Sequence, residues 1–207
     1  FIDKAHKENK PFFTWITTTR MHVHTRLRAE SQGISGEGLY PDGMVEHDQH
    51  VGNILKKLED IGELDNTIVI YSTDNGAETV TWPDGGITPF HGEKGTTWEG
   101  GMRVPCIMRW PGHIPGGAAC NELAATLDLL PTLCDYAGIA PPADLKGLSI
   151  RPFAEGRKPG TWRKELLVEN QIGVMLRAEH YKYCLHDKSA NRKMLMDLRA
   201  DPGEMKN

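Results

Sequence analysis

The sequence predicts an α/β fold with a mostly parallel sheet, followed by a small antiparallel appendage. Three observations carry that expectation. Residues 11–19 and 67–73 are runs of β-branched and aromatic residues, and a segment of helical periodicity lies between them. A strand, a helix and a strand in that order make a β-α-β unit. From about residue 150 the pattern changes to four short strand-like runs separated by turns, as expected for consecutive antiparallel strands. The expected division is an α/β part over residues 1–149 and a small antiparallel-sheet subdomain over 150–207. With 207 residues, of which 39% are hydrophobic and 25% charged, the chain can bury one sizeable core.

Taken in order, Phe1–Lys7 reads as the last turns of a helix, and the chain has no initiator Met. Both features lead us to expect that it begins inside a larger protein. Pro11–Thr19 reads as a buried strand. A polar loop with Gly33, Gly36, Gly38 and Pro41 follows. Asp42 can then cap a helix running to about Ile61. Val51, Ile54, Leu55, Leu58 and Ile61 fall on one face of that helix, and Lys56, Lys57, Glu59 and Asp60 on the other. The strand at 67–73 comes next. Residues 77–101 form a long loop with six glycines and two prolines, and loops of that length without regular structure are usually functional. Val104–Trp110 is a third strand, and Pro111–Gly117 is turn chemistry. Asp128 through Gly138 reads as a short helix with Asp128 as N-cap and Gly138 as its stop. The last four strands are expected at 164–170, 173–177, 180–185 and 193–198.

Charge and composition exclude several classes. The net charge is −4 and no basic block occurs, so neither nucleic acid nor an anionic membrane surface is an expected partner. No apolar run approaches the roughly 20 residues that span a bilayer. The four cysteines, at 106, 120, 134 and 184, form no C-x-x-C motif. Cys106 and Cys134 sit in apolar runs and are expected to be inert core residues.

The strand Thr67–Thr73 ends abruptly in Asp74-Asn75-Gly76. It can deliver a carboxylate and a carboxamide to the rim of a sheet, where open α/β folds bind their ligands. Two such oxygen donors suit Ca²⁺ or Mg²⁺. The plainer reading is a tight turn, because Asn-Gly is a strong turn signal. Two further polar clusters adjoin strands: Arg20-Met21-His22-Val23-His24 after the first, and His91 through Gly101, containing Lys94, before the third. In a parallel sheet all three converge on one rim. A cation, a lysine and a histidine together suit a tetrahedral dianion: the positive groups neutralise charge and the imidazole moves a proton. Taken singly, each member has a plainer reading. His22 alone reads as a surface or packing residue, Lys94 as a solvated loop charge, and Glu99 as a loop anchor. Asp48 and His50 lie on the helix, and Asp48 reads as a polar-face or packing residue. Trp82 and Trp98 either line a cleft or cover the core.

These residues together carry a family resemblance. Pro11-Phe-Phe before a strand and His22, Tyr71-Ser-Thr-Asp-Asn-Gly76, Gly92-Glu-Lys-Gly-Thr-Thr-Trp-Glu-Gly-Gly-Met-Arg-Val-Pro105, Trp110-Pro-Gly-His-Ile114, Leu127-Asp-Leu-Leu-Pro-Thr-Leu133 and Leu195–Glu204 occur in family order. The chain resembles the C-terminal portion of sulfatases of the arylsulfatase type, within the alkaline-phosphatase-like superfamily. The fold this implies is part of an α/β/α sandwich with a small C-terminal antiparallel α+β subdomain. The resemblance implies that Asp74 and Asn75 are ligands of Ca²⁺ (or Mg²⁺), that Lys94 contacts the sulfate oxygens, and that His22 binds the ester oxygen and assists the leaving alcohol. His24 stands where many relatives have proline, and no role is carried over to it.

The departures limit what this chain can do alone. Sulfatases use a formylglycine nucleophile made in a C/S-x-P-x-R motif, and no Cys or Ser here begins that motif. The nucleophile, the motif's arginine, an Asp pair completing the metal shell and a second Lys/His pair are expected upstream. Two oxygen ligands are a poor cage for Ca²⁺, which takes about 6–8. The expectation is weak or absent metal binding and no turnover by the chain alone. A missing N-terminal half would also leave a sheet edge exposed. Three explanations are a separate or cleaved partner chain, a longer polypeptide, or a degenerate relative that homodimerises through that edge. The expected substrate is a sulfate ester. The alternatives are a phosphonate or phosphate ester hydrolase of the same superfamily, and a non-catalytic scaffold remnant acting as an interaction module.

Overall fold

The helical periodicity around residues 42–61 produces the longest element of the computed structural model, which describes residues 1–188 and 190–206. The chain divides into two units: Phe1–Thr67 with Glu78–Ile87, and Ile68–Ala77 with Thr88–Asn207.

In the first unit a short helix, α1 (Ile2–Lys7), opens the chain and buries Ala5. The long helix, α2, spans Leu39–Asp60. Leu58 is buried, Val51, Ile54 and Leu55 are half-buried, and Lys56, Lys57, Glu59 and Asp60 are exposed, as the periodicity requires. The start of α2 differs from expectation. Gly38, not Asp42, is its N-cap. The carboxylate of Asp42 turns back instead and accepts hydrogen bonds from Gly33 N (2.6 Å), Ser35 N (2.8 Å) and Ser35 Oγ (2.6 Å), closing the preceding loop. The Ser35 hydroxyl, then the two backbone amides, hold the Asp42 carboxyl below its usual range. The residue 11–19 run forms no ladder among the described residues, and Phe13, Trp15 and Ile16 are exposed. A β-branched run becomes a strand only where a neighbour takes its backbone hydrogen bonds.

In the second unit β1 (Val69–Ser72) pairs with β2 (Cys106–Arg109). The pairing is antiparallel, with Val69 opposite Arg109 and Ser72 opposite Cys106. The expected parallel pairing is therefore not seen among the described residues. With the 11–19 run outside any ladder, β1 pairs instead with the segment that returns after the long loop. Cys106, expected in the core, is exposed, whereas Cys134 is buried. The long loop contains one turn of helix, α3 (Glu99–Met102).

Further along, α4 (Leu129–Ala137) ends at Gly138, whose φ of 67° gives the left-handed stop expected of it. Asp128 is fully buried. Its carboxylate accepts hydrogen bonds from Ala125 N and Leu148 N, both at 2.8 Å, and pairs with both terminal nitrogens of Arg163. It thus joins three segments rather than capping α4 alone. A short helix, α5 (Arg151–Ala154), follows. The four expected C-terminal strands are present as β3 (Glu165–Asn170), β4 (Gly173–Ala178), β5 (Tyr181–His186) and β6 (Lys193–Asp197). They form one antiparallel sheet in sequence order. Its buried face includes Met175, Lys182 and Cys184.

Candidate functional site

Asp74 and Asn75 follow the last paired residue of β1, where the ladder ends and the backbone turns. Asp74 is exposed and Asn75 half-buried. Asn75 Nδ2 donates to Gly76 O at 2.9 Å, which leaves Oδ1 facing the other way. The next residues bind the lysine loop directly. Gly76 N donates to Gly101 O at 3.0 Å, and Lys94 N donates to Ala77 O at 2.8 Å. The Asp74-Asn75 element and Lys94 are therefore brought together by backbone bonds within one unit.

The lysine loop is closed on itself. Gly100 N donates to His91 O (2.7 Å), Thr96 N to Glu93 O (3.1 Å), and Thr96 Oγ1 to Glu93 O (2.7 Å). The glycines make this closure sterically feasible. A Cβ on Gly100 would lie 2.3 Å from Gly92 O and 2.6 Å from His91 O, and one on Gly92, at φ 83°, would strike the Trp98 side chain. His91 packs edge-on against Trp98, with ring centroids 4.3 Å apart. Glu99, read as a loop anchor, is buried and ion-paired to Lys182 at 2.9 Å.

His22 belongs to the first unit. It is exposed, at the head of a tight turn in which His22 N donates to Thr25 Oγ1 (3.1 Å), Thr25 N to His22 O (3.0 Å) and Thr25 Oγ1 to Thr19 O (2.6 Å). Both sides of that turn are anchored to α2. Arg20 donates to Glu46 Oε1 at 2.7 Å, and this bond is the first cause of a lowered Glu46 carboxyl pKa. Thr18 Oγ1 lies 3.0 Å from His47 Nδ1. A Cβ on Gly43 would lie 2.0 Å from Met21 Sδ and 3.2 Å from Leu27, so Met21 occupies the space a side chain would take. His50 lies 3.8 Å from the same Glu46 oxygen, so it belongs to this anchoring cluster. His24 has φ 66°, a backbone conformation closed to proline. Trp82 is buried against Tyr40 in the first unit, in a covering role.

Asp74 and Asn75 offer the hard oxygen donors that Ca²⁺ or Mg²⁺ prefers. Among the described residues no group of three or more His, Cys, Asp and Glu side chains is arranged to hold a metal. The pair therefore fits part of a coordination shell and not the whole of one. Sequence reasoning did not single out Lys182, Glu204, Thr97 or His186. The available signal was one lysine inside an apolar strand, Tyr181-Lys182-Tyr183-Cys184-Leu185.

Comparison with known proteins agrees along the whole chain. The family model described as Sulfatase matches residues 1–139, and the one described as N-sulphoglucosamine sulphohydrolase, C-terminal, matches residues 91–207. N-acetylgalactosamine-6-sulfatase of Mus musculus is 38% identical over 156 residues, which are 73% of this chain and 30% of that protein. Arylsulfatase A of Homo sapiens is 38% identical over 154 residues, again 73% of this chain and 30% of the relative. The crystal structure of PsFucS1 sulfatase from Pseudoalteromonas sp. superposes with a TM-score of 0.83 at 28% identity, covering 100% of this chain and 46% of that one. The chain thus spans under a third of these two relatives and about half of the solved structure. It belongs to the sulfatase family.

Proposed function

We infer that this chain is the C-terminal part of a sulfuric ester hydrolase and contributes half of its site. Asp74 and Asn75 would hold a Ca²⁺ or Mg²⁺ ion, which when bound draws negative charge from the sulfate oxygens. Lys94 would bind those oxygens through its ammonium. His22 would bind the ester oxygen and give a proton to the departing alcohol. The formylglycine nucleophile and the remaining metal ligands would come from upstream of Phe1, because no C/S-x-P-x-R motif occurs here. One observation supports this most. The Gly76–Gly101 and Ala77–Lys94 backbone bonds tie the expected metal element to the expected anion-binding lysine.

The test compares residues 1–207 with the complete polypeptide that contains them, using an aryl sulfate and N-acetylgalactosamine-6-sulfate, substrates suggested by the relatives' names. The complete polypeptide should hydrolyse a sulfate ester, and the isolated chain should not. Turnover by the isolated chain would overturn this reading. So would a complete polypeptide that hydrolyses phosphate or phosphonate esters but no sulfate ester.

A further inference from the structure

Lys182 on β5 is completely buried. Its ammonium donates to Thr97 O at 3.0 Å and lies 2.9 Å from Glu99 Oε1 and 2.7 Å from Glu204 Oε1. Glu204 is also buried, and its other oxygen accepts from Glu99 N at 2.6 Å. Arg177, opposite Lys182 on β4, brings Nε to 3.5 Å from Glu99 Oε1. His186 Nε2 lies 3.0 Å from Thr97 Oγ1, and His91 N donates to Gly203 O at 2.8 Å. Thr97 and Glu99 belong to the lysine loop, whereas Lys182, His186, Gly203 and Glu204 belong to the C-terminal sheet and the tail after it.

A buried lysine must be compensated, and here both compensating carboxylates hold the loop. We propose that Lys182 and Glu204 form a buried ionic clasp that positions Lys94. The clasp grips the loop at residues 97 and 99, on one side of Lys94, while Ala77 holds the Lys94 backbone. Because the loop's own backbone bonds link 91 to 100 and 93 to 96, restraint at 97 and 99 is passed to 94. Lys182 is a positioning residue, not a group that meets substrate. The functional half of this proposal rests on the sulfatase reading of Lys94.

The test uses Lys182→Met, Glu204→Gln and the double variant in the complete polypeptide, with two readouts. Amide hydrogen exchange across residues 91–103 reports the clasp itself, and kcat/KM for an aryl sulfate reports its consequence. In Lys182→Met, amides of Glu99, Gly100 and Gly101 should exchange about tenfold faster or more, with β3 and β4 amides unchanged. The value of kcat/KM should fall by about tenfold or more. Glu204→Gln should move both readouts the same way by less, and keeps the test alive if Lys182→Met fails to fold. The double variant should recover part of the loss, since it removes the Glu204 charge, one of the two carboxylates that lose Lys182. Unchanged exchange at 97–101 would overturn the clasp, as would protection lost equally over the whole β3–β6 sheet. Unchanged kcat/KM alongside faster exchange would overturn its role in positioning Lys94. If the wild-type polypeptide turns over no sulfate ester, the sulfatase reading falls and exchange alone decides the clasp.

Discussion

A Cβ placed on Gly76 would lie 1.7 Å from Gly100 O. Neither glycine has a positive φ, so the requirement is space and not backbone conformation. The Asp74-Asn75 element passes so close to the backbone of the lysine loop that only a glycine fits at 76, while Gly100 is needed for the loop's own closure against residues 90–92. Gly52 is a useful contrast, because it is exposed within α2 and a Cβ there meets nothing within 4 Å. Gly52→Ala should therefore stabilise the protein by about 0.5–1 kcal/mol through helix propensity. Gly76→Ala should destabilise it, since backbone must move. Chemical denaturation of both variants checks the pair, and equal effects would contradict it. At this scale the Asn-Gly signal was legible as a sharp turn, but the turn and ligand readings of Asp74-Asn75 are not exclusive. The backbone does bend there, and Asp74 is exposed at the bend.

Among the elements, the four C-terminal strands were legible within a residue or two, because short runs bounded by turn residues carry their own signal. Burial of their faces was not. Local alternation in β5 would put Tyr181 and Tyr183 inside, yet they are exposed while Lys182 is buried. The cause is the buried carboxylates of Glu99 and Glu204, which lie elsewhere along the sequence and are invisible to a local window. The same limit applies to residues 11–19, whose strand-like composition cannot supply a partner. Asp128 was read as a helix cap, but its carboxylate is taken by Arg163 and two amides of other segments. Arg163→Met should then leave a buried, uncompensated carboxylate and cost roughly 3–5 kcal/mol. The denaturation midpoint of the complete polypeptide measures this, and a loss below about 1 kcal/mol would show that the pair is not needed to hold these segments.

Over the whole molecule, the family was legible because six separated motifs fall in order, a signal that does not depend on how the strands pair. The direction of the sheet was not, and β1 with β2 runs antiparallel. Of the four expected site residues, Asp74, Asn75 and Lys94 lie in the second unit and His22 in the first. Phe13 and Trp15 expose 65% and 67% of their surface, a large apolar area for two neighbouring positions of one run. The chain matches 30% of the length of its curated relatives, so activity is a property to be sought in the complete polypeptide. The central claim is that Lys94, held beside the Asp74-Asn75 element, binds the sulfate group during turnover. The most direct measurement is kcat/KM for an aryl sulfate in Lys94→Ala against wild type, both as complete polypeptides. Loss of one preorganised donor to developing negative charge predicts a fall of about 10²–10³. An unchanged kcat/KM would contradict the assignment of Lys94 to the sulfate.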